Sequence, residues 1–152
     1  FEIGKENKIY EFEFTMNEES YKNGELRFNL GGNNIDVYID NVVMKKTSSD
    51  EVEGNLLLNG VFNSLLSWKY EAYDPGSALF DNPDEQFRAD ISSVGTAGWN
   101  VQLYQDNVPL EQGQTYEVSF SAKSTVDRKV LIQFQEVDVW TQYFLSGSSN
   151  YR

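Results

Sequence analysis

The chain reads as an all-β sandwich, on three observations. Short runs alternate apolar and polar residues with a period of two, the mark of half-buried strands. Gly, Pro, Asn and Asp recur between these runs as turn residues. No window carries a helical period, and no internal repeat is visible.

In Phe1–Met16, Tyr10, Phe12, Phe14 and Met16 alternate with Glu11, Glu13 and Thr15, giving an aromatic inner face and an acidic outer one. Asn17–Gly24 is polar and turn-rich. Glu25–Leu30 follows as a strand, with Leu26, Phe28 and Leu30 inward and Glu25, Arg27 and Asn29 outward. Gly31–Asn34 makes a tight turn, and Val37–Met44 gives a further strand, with Asp40 set among apolar neighbours. Lys45–Gly54 is charged and nearly free of apolar residues, which reads as a linker.

Beyond it, Asn55–Phe62 is an apolar run broken by Asn59–Gly60, and Trp68–Tyr73 follows a short loop. Asp74–Asp84, with Pro75, Gly76 and Pro83, is the most loop-like piece, and Phe87–Ile91 is strand-like. The clearest pattern lies in Gly98–Ser124. Trp99, Val101 and Leu103 alternate there with Asn100, Gln102 and Tyr104. After a turn placed at Asp106–Asn107, Pro109 and Gly113, the residues Tyr116, Val118, Phe120 and Ala122 alternate with Glu117, Ser119, Ser121 and Lys123. Val130–Gln135 alternates again, Val137–Leu145 carries Trp140, Tyr143 and Phe144, and Ser146–Tyr151 is a turn.

Composition narrows the function. At 152 residues the chain suits one domain with a two-layer core. Its net charge of -12 argues against nucleic acid and anionic membranes as partners. Cysteine and histidine are both absent, which removes thiol chemistry, Ser-His-Asp arrangements and His-ligated zinc. No apolar run approaches a membrane span. The opening FEIGK, with no leader before it, reads as an excerpt from a larger protein. Aromatics make up 14% of the residues, a surplus that suits stacking surfaces. Acidic residues such as Glu11/Glu13, Glu18/Glu19 and Asp81/Asp84/Glu85 fall at solvent-facing or loop positions. None sits in an apolar pocket that would tune it for glycoside hydrolysis, so no catalysis is expected.

Three blocks, touching nearly the whole chain, resemble the family 4 and 9 carbohydrate-binding modules, the jelly-roll domains appended to glucanases, cellulases and xylanases. Asn55–Trp68 (NLLLNGVFNSLLSW) resembles their opening, Trp99–Ala122 (WNVQLYQDNVPLEQGQTYEVSFSA) their middle, and Ile9–Val43, with YEFEFT, LRFNLGG and YIDNV, their end. The family's closing block thus precedes its opening block. The order is that of a circular permutation, residues 1–44 matching the family's C-terminal part and 55–152 its N-terminal part, or of two half-modules in tandem. One permuted domain is preferred, because either half alone would leave a sheet face bare.

The resemblance implies a non-catalytic, secreted module that holds a β-glucan chain on the concave sheet and targets an attached glycoside hydrolase as a monomer. β-1,3- or mixed-linkage glucan comes first, cellulose or xylan next. The outward residues supply the site: Gln102 and Tyr104, Gln133 and Gln135, Arg27 and Asn29. Any one of them suits plain solvation, but amides and a guanidinium on three strands suit sugar hydroxyls. The family pattern points to Tyr70 or Tyr73, to the Leu131–Gln135 strand with Trp140 just beyond it as an exposed platform, and to Glu25–Asn29. Trp99, sharing the alternation of Val101 and Leu103, ranks as core or groove edge, and Trp68 as structural. The resemblance also implies a structural Ca²⁺ using Asp40 and the Val61 carbonyl, although Asn63 stands where the family often has Glu. The rival readings are a ligand-free spacer sandwich and, disfavoured by the missing histidine, a jelly-roll lyase.

Overall fold

The computed structural model describes residues 1–32, 35–47, 54–137 and 142–146. They form β1 (Glu2–Ile3), β2 (Lys8–Thr15), β3 (Tyr21–Asn29), β4 (Asp36–Lys46), β5 (Lys69–Ala72), β6 (Gly76–Asp81), β7 (Phe87–Val94), β8 (Val101–Leu110), β9 (Thr115–Ser124), β10 (Arg128–Lys129), β11 (Leu131–Glu136) and β12 (Gln142–Leu145). Among the described residues there is no α-helix, only short 3₁₀ turns at Pro83–Glu85 and Gly98–Asn100.

Two five-stranded antiparallel sheets pack face to face, as the alternation predicts. One runs β12-β11-β3-β8-β5 and the other β2-β9-β4-β7-β6, with β1 and β10 as a small separate pair. Strands from before and after the charged stretch at 45–54 interleave in both sheets. The composition places a linker from Lys45, but β4 carries on through Lys45 and Lys46, opposite Glu117 and Tyr116 of β9. Ladder pairing there outweighs low β-propensity. Residues 48–53 of that stretch lie outside the described residues, as does most of the turn expected over Ser146–Tyr151.

Aromatic rings join the sheets. Phe28 of β3 meets Phe120 of β9 edge-on at 5.3 Å, Phe14 of β2 meets Phe134 of β11 at 4.6 Å, and Phe12 of β2 stacks on Phe144 of β12 at 4.6 Å. Such pairs add to the burial of their large apolar area. A second cluster stacks Phe62 on Trp68 at 5.0 Å and sets it against Phe87. Trp68 is buried and its Nε1 donates to the Asn59 carbonyl, a structural role as expected. The apolar run Asn55–Phe62 is a turn segment rather than a strand, held along β4 by Asn55, whose side chain bonds Val42 O and Met44 N.

Two details of the 98–124 stretch differ from the alternation. Asp106, Asn107 and Pro109 lie inside β8 rather than in a turn; Asn107 adopts a φ of 59°, and the β3–β8 register shifts around Gly24. This is a bulge. The chain turns later, between Leu110 and Thr115, and there passes from one sheet to the other. Ser119 and Ser121 therefore belong to the sheet opposite Gln102.

On the outer face of that opposite sheet, Asp36 of β4 stands directly across from Asp90 of β7. Burial, then the Asp90 neighbour, pushes the Asp36 carboxyl above its ordinary range. A raised carboxyl in the fold favours the protonated form, so its stabilising share is full below about pH 4 and is lost as pH rises through the raised value. Asp36→Asn should therefore flatten that pH slope and stabilise the domain at neutral pH by roughly 0.2–1 kcal/mol, the size of a relieved cross-strand like-charge contact at a partly exposed site. Urea melts across the pH range check this. Phe28→Ala, at a fully buried intersheet contact, should cost about 3–5 kcal/mol in the same assay.

Candidate functional site: an amide-floored groove

The open face of the β12-β11-β3-β8-β5 sheet is fixed by register. Asn29 of β3 stands between Leu131 of β11 and Gln102 of β8, and Gln102 is opposite Glu71 of β5. One step along, Arg27 stands between Gln133 and Tyr104, with Lys69 beyond. A further step brings Glu25 beside Gln135. Alternate positions share a face, so these rows lie on one surface while Phe28, Leu103 and Phe134 point into the core.

A groove of about 700 Å³ lies over this surface, lined by Arg27, Asn29, Tyr73, Gly98, Trp99, Gln102, Leu131, Gln133, Gln135 and Gln142. Its floor is a connected polar network that is almost wholly buried. Glu25 pairs with Arg27, and Arg27 Nη1 donates to Gln102 Oε1. Gln135 Nε2 donates to Glu25 at 3.1 Å, Gln133 Nε2 to Gln135 at 2.6 Å, and Asn29 Nδ2 to Gln133 at 3.3 Å. The Asn29 Oδ1 is buried and has no partner.

Of the rings expected at the site, Trp99 and Tyr73 form its rim. They meet edge-on at 6.2 Å, and Trp99 is 53% exposed. The alternation puts Trp99 on the face of Val101 and Leu103, but it sits in the 3₁₀ turn before β8, which swings its ring outward. Asn100, expected to point outward, is fully buried instead. Its Oδ1 accepts from Thr96 N and Ala97 N, and its Nδ2 donates to Tyr73 O at 3.0 Å. That one side chain ties both rim segments together. Gly95, at φ 73°, leaves room for it, since a Cβ there would come within 2.5 Å of Asn100.

The other expected residues are placed differently. Tyr104 is on the open face but outside the groove lining, its ring packed against Arg27 at 4.5 Å and facing Lys69. Tyr70 does not join the groove. Opposite Leu103 in the ladder, it turns toward the sandwich interior and packs on Phe80 and Phe87, which leaves Lys69 and Glu71 on the open face. Trp140 lies outside the described residues. Gln142 is a lining residue that the sequence reading passed over, whereas Glu25 and Leu131 lie on the strands that the resemblance points to, without being singled out there. Glu25 shares the outward alternation of Arg27 and Asn29, which was the available signal.

Asp40, on β4 of the opposite sheet, and Val61 are not part of the groove lining. Asp40 Oδ1 is buried without a partner, and burial pushes the carboxyl up, with the Asn41 backbone opposing and Glu85 adding to the shift. Val61 is exposed.

Amides and a guanidinium on a groove floor beside exposed rings suit the hydroxyls and apolar faces of sugar units. Comparison with curated proteins and with solved structures found no match. The family comparison did: the carbohydrate binding domain model of families 4 and 9, whose members are non-catalytic, matches residues 54–145. With more than half of its length matched, the chain belongs to that carbohydrate-binding family.

Proposed function

We propose that the domain binds a β-glucan chain in the groove, β-1,3- or mixed-linkage glucan first and cellulose or xylan next. It would act outside the cell as a monomer, holding an attached glycoside hydrolase on its polymer by raising local concentration. The observation that carries this reading is the joining of two exposed rings, Trp99 and Tyr73, to a prebuilt floor of hydrogen-bonding groups. Rings can stack on sugar faces while the floor bonds hydroxyls, and neither needs to move far. Among the described residues the floor's strong charges, Glu25 and Arg27, neutralise each other, which favours an uncharged polymer.

A structural Ca²⁺ at Asp40 is part of the proposal. The unpartnered Asp40 Oδ1 suits a hard cation. Among the described residues no group of three or more His, Cys, Asp or Glu could hold a metal, so backbone oxygens such as the Val61 carbonyl and water would have to complete the shell.

Two outcomes are expected. Calorimetry against laminarin, barley glucan, xylan and soluble cellulose should show binding to at least one. Trp99→Ala should weaken it by at least about tenfold, as loss of a central aromatic contact does, with Tm unchanged because the ring is over half exposed. Silence across the whole panel would instead mark a spacer domain. Separately, Ca²⁺ at a hundredfold excess over its Kd should stabilise the chelator-treated protein by about 2.7 kcal/mol, and Asp40→Asn should abolish the response. Equal melting with Ca²⁺ and with chelator would remove the metal.

A further inference from the structure

We infer that Glu25 is a positioning residue that sets the hydrogen-bond polarity of the amide relay in the groove floor, so that Asn29 presents an acceptor beside the donor that Arg27 turns out of Gln102, to two neighbouring hydroxyls of one sugar unit. The ligand half of this inference rests on the glycan reading above; the orienting role of Glu25 does not.

A side-chain amide can face either way, its oxygen accepting or its nitrogen donating. A carboxylate paired with a guanidinium has no such choice, because it only accepts. Glu25 is 2% exposed and occupies this fixed position at one end of the floor. Gln135 must therefore turn its Nε2 to Glu25, which leaves its Oε1 for Gln133. Gln133 must then show Nε2 to Gln135 and Oε1 to its other side, where Asn29 Nδ2 donates at 3.3 Å and Gln142 Nε2 at 3.4 Å. Asn29, with its nitrogen engaged, is left with Oδ1, which is 5% exposed as a residue and has no donor. Orientation passes through three amides to the groove.

The second branch has the opposite outcome. Glu25 takes the Nε and Nη2 of Arg27, and the Tyr104 ring covers the guanidinium face. Nη1 then donates to Gln102 Oε1, so Gln102 must turn its Nε2 away. Asn29 and Gln102 are direct partners in the β3–β8 ladder. The carboxylate through its amide relay and the guanidinium directly thus leave an acceptor and a donor on adjacent strands, next to the Gly98–Trp99 rim. A Cβ on Gly98 would lie 3.6 Å from Asn29 Cβ, so the rim turn packs beside Asn29.

Vicinal hydroxyls meet such a pair naturally, one donating to Asn29 and the other accepting from Gln102. A uronate carboxylate there would face the Asn29 oxygen and be disfavoured. Glycans with free neighbouring hydroxyls on the stacked unit are therefore the selected class, which within the glucans named above means 4-linked units, as in mixed-linkage glucan, over internal 3-linked ones.

The orienting role is read without any ligand. In isotope-labelled protein, NMR should show the side-chain amides of Gln133, Gln135 and Asn29 protected from deuterium exchange and that of Gln102 open. Glu25→Gln, which can donate as well as accept, should speed exchange at Asn29 and Gln133 by about tenfold, while Glu25→Asp should largely keep the wild-type pattern. Should Glu25→Gln fail to fold for want of the carboxylate, Gln135→Met interrupts the same relay and leaves the ion pair intact. Unchanged exchange at Asn29 and Gln133 in these variants overturns the relay.

Binding of a mixed-linkage glucan oligosaccharide, whose 4-linked units keep both O2 and O3 hydroxyls free, then forms a cycle. Glu25→Gln and Asn29→Leu should each weaken it about tenfold, and the double variant no further, since both act through the same oxygen. An additive loss of about a hundredfold would overturn the coupling. If the wild type binds none of the glycans, the glycan reading fails, and the exchange result still decides the role of Glu25.

Discussion

The register of β3 against β8 is the constraint on which the rest of the molecule depends. With Phe28 opposite Leu103, both side chains enter the core, and Phe28 reaches Phe120 of the other sheet. The same pairing sets Asn29 against Gln102 and Arg27 against Tyr104 on the open face. A slip of one residue would exchange the two faces, placing rings in water and a guanidinium in the core. Core and groove are therefore two sides of a single alignment. The bulge around Gly24 helps hold it: a Cβ there would lie 2.7 Å from the Val108 carbonyl, so the strands close together only with glycine at that point.

Period-two alternation made the sandwich legible, and it did so best where a strand has one wet and one dry face. Leu26, Phe28 and Leu30 against Glu25, Arg27 and Asn29 is the clearest case. It failed where the backbone leaves the strand. Trp99 and Asn100 follow the alternating pattern in the sequence, yet a 3₁₀ turn reverses both, sending the indole out and the amide in. Nothing in a single sequence marks that turn before Val101. Tyr70 shows the limit of a different argument. An aromatic near the opening Trp suggests a sugar platform, but ladder register decides the face, and register is a property of two strands together. Glu25 was visible as an outward residue, and its part in the floor was not, because that depends on which amides stand beside it across two strand boundaries.

Charge is distributed unevenly between the sheets. The chain carries a net charge of -12, yet among the described residues the groove floor holds the compensated Glu25–Arg27 pair, and at its flank Lys69 pairs with Asp106 at 2.6 Å. The opposite sheet instead carries the facing Asp36 and Asp90 on its outer surface. An acidic exterior keeps such domains apart in solution, while a neutral floor avoids desolvating an unpaired charge beneath a polyol.

Asn100 gives the rim an unusual mechanical position. It is a fully buried amide whose three hydrogen bonds run to the 96–97 turn and to the Tyr73 carbonyl, so the two rim rings hang from one anchor inside the protein. Loosening either ring segment would strand polar atoms away from water, a larger penalty than an ordinary surface loop faces. The rim should thus stay assembled until the sandwich itself gives way. On warming, recognition would end abruptly with global melting instead of fading loop by loop, and a bound carbohydrate would be held right up to that temperature.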